Sequence, residues 1–546
     1  MATLLPSELL VQIFKDLRNM FAQRGETDHE LDPLKWLPVN RVCRFWRQAS
    51  LGDPTLWTHI SMWNDNLECV RTFVERSRPQ PLHVFVPVEG SGEETNNRNA
   101  LRLAMGEAHR VRHLEVGRRG VIQYRGDDAR NLNEVFYIDI LCRCAFPALQ
   151  ELCLSHVDIE PPSLVALLAA CPELRKLIVT VSGLSWSDGA SCPTVEMWCD
   201  ALAKMPHLEH LLLERAFESE SGLEQTPGGD DIRSPLRLDR LKTLSIYYPP
   251  LQQSVWFFHS LSIPSTASVH VKYDGLDDTS QDTASVFAAI AACRSRNRKC
   301  KLISLDLDES YGESLEVSCW DTTFQMPLCS REPYLLTEDM RTHLLLRISL
   351  SLAWYPEDRR GLHIEIADML RDAFILTDAV SIRIASRWFE QDSDLDEPGA
   401  AELAAPSTQA YRVIFNEMIR VKTLLISRDT SSRQIDCMLG MDLAALNSSV
   451  QPSVPPPFPH LEELALHNMC LWSSWEIPCE IPYAQLLRAI NVRKTMGCGI
   501  WRVRIRDMQD GELEGPVYAQ LCAAVPELDV QRSSTCTCSE QVVDLA

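Results

Sequence analysis

Short helical stretches that end in Pro-x-Leu and pass straight into an alternating strand recur along this 546-residue chain, and that recurrence limits the possible folds more than any other feature. The segments SLVALLAACPELRKL, MWCDALAKMPHLEHL and YAQLCAAVPELDV carry the unit most clearly. The strand segments alternate apolar and polar residues, as half-buried strands do. They are HLEVG at His113, ELCLS at Glu151, KLIVT at Lys176, HLLLE at His210 and TLSIY at Thr243, then TLLIS at Thr423, ELALH at Glu463 and RVRIR at Arg502. SVHVK at Ser268, SLDLD at Ser304, SLEVS at Ser314 and SIRIA at Ser381 repeat the pattern more weakly. Leu114, Leu152, Leu177, Leu211 and Leu244 are 38, 25, 34 and 33 residues apart, and Leu424, Leu464 and Val503 are 40 and 39 apart. Intervals of this size belong to stacked arrays. One strand and one helix cannot bury their apolar faces alone, whereas stacked neighbours can. The expected architecture is therefore an irregular β/α solenoid over residues 110–530, an α+β or α/β class of fold. A doubly wound α/β sheet is the competing reading. The shared Pro-x-Leu-x-x-Leu spacing counts against it, because such a sheet needs no common spacing.

The array is expected to be interrupted by exposed loops at Glu89–Asn99 and near 218–235, 390–408 and 447–459, where Pro, Gly, Ser and acidic residues concentrate. Residues 63–109 read as a linker and capping segment, and 531–546 as a flexible tail. The formal net charge of −22 repels phosphate backbones, so no nucleic-acid partner is expected. RNRKCK at Arg296–Lys301 is the best basic stretch and reads as a solvated loop. The 19 cysteines are scattered and odd in number, which suits reduced thiols in a cytoplasmic or nuclear protein. MATLLPSELL lacks the basic start of a signal peptide, and no stretch approaches the ~18 apolar residues of a membrane helix. No membrane partner is expected.

Signals for catalysis are poor. The chain has no G-x-S-x-G, H-E-x-x-H, phosphate-loop or dinucleotide motif. GCGIW at Gly497–Trp501 reads as a turn before a strand. CRC at Cys142–Cys144 and CTC at Cys536–Cys538 are too closely spaced for a zinc site, which uses two to four intervening residues. No catalytic residue, cofactor or metal is expected.

The first 60 residues follow a different, helical pattern. Pro6 and Glu8 suit a helix start, and Leu9, Leu10, Ile13, Phe14 and Leu17 then fall on one stripe. A second helical pattern runs through Trp36, Val39, Val42, Cys43 and Trp46, with Arg41, Arg44 and Arg47 interleaved. An amphipathic hairpin capping the array would satisfy the first stripe alone.

LPSELLVQIFKDL at Leu5–Leu17, WLPVNRVCRFWRQAS at Trp36–Ser50 and DPTLWTHIS at Asp53–Ser61 together resemble the F-box family. That family combines an LPxELL-x-x-IF helix, a V-C-R-x-W-R helix and a P-x-LW close, and all three occur here in order. The resemblance implies a small all-α module over residues 1–62. It would pack onto the adaptor subunit of an SCF complex, the S-phase-kinase-associated protein, and through it reach a cullin. By position it implies a protein-binding set of Leu5, Pro6, Glu8, Leu9, Ile13, Phe14, Leu17, Val39, Val42, Cys43, Trp46, Leu56 and Trp57, without separating contact from core. A helix beginning near Leu37 with Pro38 at its first position is expected, after an Arg18–Lys35 connection longer than usual for the family. The region downstream resembles the degenerate leucine-rich-repeat-like domains of fungal F-box proteins. The implied function is a non-catalytic substrate-recognition subunit of a cullin-RING ubiquitin ligase, with an unidentified protein target. A scaffold acting outside ubiquitin transfer is the alternative.

Overall fold

The computed structural model describes residues 5–23, 34–62, 67–87, 94–117, 138–155, 160–181, 192–217, 234–276, 280–295, 299–302, 304–310, 314–322, 343–352, 359–386, 413–427, 456–467, 483–508 and 516–532. The loops expected near 218–235 and 390–408 and the tail expected over 531–546 lie outside these residues except at 234–235 and at 531–532, which end a strand. The chain divides into two compact units, Met1–Gln253 and Ser254–Ala546.

The first unit opens with α1 (Ser7–Gln23), a 3-10 turn at Leu37–Arg41, α2 (Arg44–Gly52) and a second 3-10 turn at Pro54–Trp57. Seven parallel strands follow: β1 (His59–Ser61), β2 (Leu82–Pro87), β3 (Val111–Gly117), β4 (Glu151–Ser155), β5 (Lys176–Thr180), β6 (His210–Glu214) and β7 (Thr243–Tyr247). They pair in chain order, and the register sets Ile60, Val84, Leu114, Leu152, Leu177, Leu211 and Leu244 in one row. Every member of that row is buried. A second buried row holds Val86, Val116, Leu154, Val179, Leu213 and Ile246. Crossover helices between parallel strands cover one face of such a sheet. Here α3 (Leu67–Ser77), α4 (Glu94–Met105), α5 (Pro161–Ala169) and α6 (Val195–Leu202) bury Phe73, Leu101, Leu167 and Trp198. The fold is thus a small helical module followed by a solenoid-like β/α array.

At four of its occurrences the Pro-x-Leu punctuation has one structural meaning, whereas at Val525–Leu528 a strand starts directly at Glu527. In Phe146–Leu149, Cys171–Leu174, Met205–Leu208 and Phe458–Leu461 the leucine N–H bonds the carbonyl three residues back, at 3.2, 3.3, 3.2 and 3.0 Å. Proline stands second in each, where its fixed φ suits the turn and its missing N–H costs nothing. Both apolar ends are buried. The next two amides then bond a carbonyl of the preceding unit, as Arg175 and Lys176 do to Gln150, at 2.8 and 2.9 Å. The turn therefore sets strand register.

Two differences from expectation stand out in this unit. Residues 63–109, read as linker and cap, hold α3, β2 and α4, and β2 pairs with strands on both sides, so the sheet starts at His59. LHVFVP is almost fully buried and lacks the alternation by which the other strands were recognised. The loop expected at Glu89–Asn99 gives way to helix from Glu94.

The second unit contains β8 (Ser268–Leu276), α7 (Ser280–Ser295), β9 (Ser304–Ser310), β10 (Ser314–Trp320), β11 (Leu344–Leu352), α8 (Arg359–Ala373), β12 (Ser381–Ser386), β13 (Thr423–Ser427), β14 (Glu463–His467), α9 (Tyr483–Thr495), β15 (Arg502–Met508), α10 (Pro516–Ala524) and β16 (Glu527–Arg532). The pairing order is β8-β11-β10-β9-β12-β13-β14-β15-β16, parallel throughout except that β10 runs antiparallel to both its neighbours. Only three residues join β9 to β10, too few for a crossover, so a hairpin is forced there. Two fully buried arginines near helix ends bind backbone carbonyls of neighbouring segments. Arg294 donates to the carbonyls of Ala267 and Leu345 at 2.8 and 2.6 Å, and Arg493 to Pro457 and Phe458 at 2.8 and 2.5 Å. The end of the proline-rich stretch 447–459 is consequently buried rather than exposed: Pro456, Pro457 and Phe458 sit in the core. Of RNRKCK, only 299–301 lie among the described residues, and there Cys300 is buried in a short strand with Lys301 rather than in a solvated loop. Gly497 follows α9 at φ 75°, the left-handed conformation that glycine accepts most readily at a helix end.

Across the open face of the first unit the register sets His59, His83, His113, Glu151, Lys176, His210 and Thr243 in one polar row. The His59 and His83 rings stack 4.4 Å apart and 4° from parallel, and His83 lies 5.6 Å from His113. Burial, then Arg18, His83 and His113, push His59 down to about 2. Burial, His113, Arg18 and Arg112 push His83 down to about 4 against the pull of Glu151. Burial opposes charge on His113 too, but Glu115 and Glu151 outweigh it and raise that group. His59 and His83 therefore stabilise the fold fully above about pH 6.5, the ordinary histidine value, and this contribution is lost as pH falls toward about 4. His113 acts in the opposite sense and is outnumbered. Thermal melting of the full chain should show a Tm that falls from pH 6.5 to 4.5, with His83→Gln flattening the fall. An identical slope in wild type and variant would contradict the assignment.

Candidate functional site

Helix α1 carries two apolar stripes, and they have different fates. Leu10 and Phe14 are buried together with Arg18, whereas Leu9, Ile13 and Met20 are exposed. At 100° per residue the two sets lie about a third of a turn apart. Leu17 falls between them in angle and is half-buried. Leu5, Pro6 and Glu8, at the start of the helix, are exposed. Leu9 is 53% exposed and Phe14 0%, so the one sequence stripe is both a core face and an unpartnered face.

The second motif begins a helix at Leu37 as expected, but as a 3-10 segment that is not continuous with α2. Pro38 lies in the first turn of a 3-10 segment that ends at Arg41, and α2 starts only at Arg44. Cys43 interrupts them with extended backbone, φ −159° and ψ 171°, and its Sγ accepts from the Trp46 N–H at 3.4 Å as the α2 cap. Asn40 holds the break: its Nδ2 donates to the Leu37 carbonyl at 3.0 Å, and its Oδ1 accepts from the Ser50 hydroxyl. Val39 is buried, Cys43 and Trp46 are half-buried, and Val42 is 57% exposed. The Trp46 ring packs 5.3 Å from Phe14, joining α2 to α1.

The closing motif is core. Leu56 and Trp57 are buried, at 0% and 2% exposure. Trp57 Nε1 donates to the Ser50 carbonyl at 2.9 Å, and its ring meets Trp36 at 5.5 Å and Phe73 of α3 at 5.0 Å, with the Arg76 guanidinium 4.4 Å above it. Asp53 caps the turn by accepting from the Thr55 N–H and hydroxyl at 2.8 and 2.7 Å. Burial alone would raise its carboxyl; Thr55 and Lys15, 3.2 Å away, outweigh that and hold it below the usual range. Arg18 donates to the Thr55 carbonyl at 2.6 Å, and its burial lowers its pKa against the attraction of Asp53.

The sequence-derived set thus divides. Leu5, Pro6, Glu8, Leu9, Ile13 and Val42 are exposed; Phe14, Val39, Leu56 and Trp57 are buried; Leu17, Cys43 and Trp46 are half-buried. Met20 belongs to the exposed stripe and Trp36 to the core, and neither stands in that set. Met20 could have been found by extending the Leu9–Ile13 stripe two further turns, seven residues on from Ile13. Five of the nine exposed large apolar side chains among the described residues lie in this module, far beyond its share of the chain.

Other chemistry is sparse. Among the described residues no group of three or more His, Cys, Asp or Glu side chains is placed to hold a metal ion, and no helix is long and apolar enough to cross a membrane. The described cysteines are free thiols. Burial pushes Cys153 up to about 11 and Cys171 up to about 12, and it raises the Cys142 and Cys144 thiols of the CRC pair, all of which weakens them as nucleophiles.

Two family models match the chain. The F-box-like model matches residues 2–63. The model described as FBD-associated F-box protein At5g56370, LRR repeats, matches residues 134–255, the region of β4 to β7. Neither supports the fungal grouping implied by the sequence resemblance. No curated protein matches the chain.

The division of α1 has a direct stability test. Phe14→Ala should destabilise the fold by about 3–5 kcal/mol, the cost of emptying a buried aromatic site. Leu9→Ala and Ile13→Ala should each stay within about 0.5 kcal/mol, as exposed substitutions do. Denaturant titration of the full chain reads all three, and equal losses at positions 13 and 14 would contradict the assignment.

Proposed function

Since the chain is an F-box protein with a leucine-rich-repeat-like domain, we propose that it is the substrate-recognition adaptor of an SCF-type cullin-RING E3 ubiquitin ligase. The exposed apolar stripe on α1 carries this reading. Leu9, Ile13 and Met20, with Leu5 ahead of them and Val42 before α2, face solvent in a module whose other large apolar side chains, among the described residues, are buried or half-buried. Full burial of such a side chain against a partner returns about 1.5–3 kcal/mol. The S-phase-kinase-associated adaptor subunit is the partner that the F-box resemblance implies, and a cullin is reached through it. The β/α array presents the protein target. This chain is non-catalytic: its contribution is to hold target lysines near a ubiquitin donor, raising their effective concentration. It works in the cytoplasm, the nucleus or both, where its thiols stay reduced.

Affinity-tagged full-length protein should recover the adaptor subunit and a cullin. Leu9→Asp combined with Ile13→Asp should lose both while Tm stays within a few degrees of wild type. Recovery of the adaptor without any cullin would favour a scaffold outside ubiquitin transfer. Recovery of neither by wild type would reject the reading.

A further inference from the structure

We propose that docking through this module is steered by charge, with Arg41, Arg44 and Arg47 meeting carboxylates on the adaptor around the apolar contact. The inference rests on the adaptor reading above. Arg41 ends the 3-10 turn, and Arg44 and Arg47 stand three residues apart on α2. All three are exposed, and none has an ion-pair or side-chain hydrogen-bond partner among the described residues. Other arginines of the same unit do find carboxylates: Arg71 pairs with Glu68, Arg110 with Glu107 and Arg143 with Asp139, at 2.8–2.9 Å.

Local helix physics accounts for Arg41, in the last turn of the 3-10 segment where a cation is favoured, but not for Arg44 and Arg47. A helix N-terminus carries partial positive charge and favours Asp or Glu in its first turn. Helix α1 obeys this with Glu8, whereas the first turn of α2 contains Arg44 and no acid. The α2 cap is a cysteine thiol rather than a strong Ser, Asp or Asn cap. Cationic charge is therefore placed where it weakens the helix, and nothing within the described fold offsets it. Val42, the most exposed apolar side chain of the module, lies between Arg41 and the start of α2, so charge and apolar contact occupy one stretch. The whole chain carries −22, which repels an acidic partner elsewhere and makes this cluster stand out. The partner it fits is an apolar groove bordered by carboxylates. Exposed pairs of this kind act mainly on association rate and are weakened by salt.

Association of the full-length chain with purified adaptor subunit, followed at 50 and 500 mM NaCl, tests the proposal. Arg41→Gln, Arg44→Gln and Arg47→Gln combined should slow association about tenfold at 50 mM, converge with wild type at 500 mM, and change dissociation less than about twofold. The triple variant should melt no lower than wild type, because it removes cations from a helix N-terminus. Equal association rates at 50 mM, or an effect on dissociation alone, would overturn the charge proposal while the adaptor reading stands. Absence of wild-type binding at both salt concentrations would overturn both.

Discussion

The Trp57 indole joins the helical module to the array. Its N–H is satisfied by the Ser50 carbonyl near the end of α2, and its ring meets Trp36, Phe73 of the first crossover helix and the Arg76 guanidinium. A large aromatic with a satisfied polar tip is among the strongest anchors a small module can use. Two residues later the chain enters β1, so no free linker separates module from sheet. The direction in which α1 presents its exposed stripe is therefore set by the same packing that starts the first parallel pair.

Below that joint the fold is held by repetition. From β2 to β7 each strand contributes at least two buried apolar residues, each Pro-x-Leu turn fixes the next strand against the last, and no single unit could do either alone. The module at the front is too small to bury all its apolar side chains. It resolves this by dividing α1, with Leu10 and Phe14 turned inward and Leu9 and Ile13 left outside. Exposed apolar surface concentrated in one module is a mark of a protein-docking surface.

Much of this was legible beforehand. V-C-R-x-W-R with P-x-L-W identified the module, and alternation of the ELCLS kind located most strands, because half-buried strands must alternate. What escaped has physical reasons. LHVFVP is buried on nearly every residue and shows no period of two, and His59–Ser61 is only three residues long. The antiparallel strand Ser314–Trp320 looks like any other until its short connection is counted. Cys43 as a helix cap was invisible because thiols seldom serve as one. The separation of contact from core was also out of reach, since Ile13 and Phe14 are adjacent apolar residues and only the packing of Trp46 tells them apart.

On the reading proposed above, α1 and α2 form the ligase-facing surface. Hydrogen–deuterium exchange of the full-length chain, with and without the adaptor subunit, measures this most directly. Added protection over Ser7–Met20 and Arg41–Gly52, with strands β4 to β7 unchanged, is the expected result. Unchanged exchange across both segments, or protection confined to the strands, would contradict it.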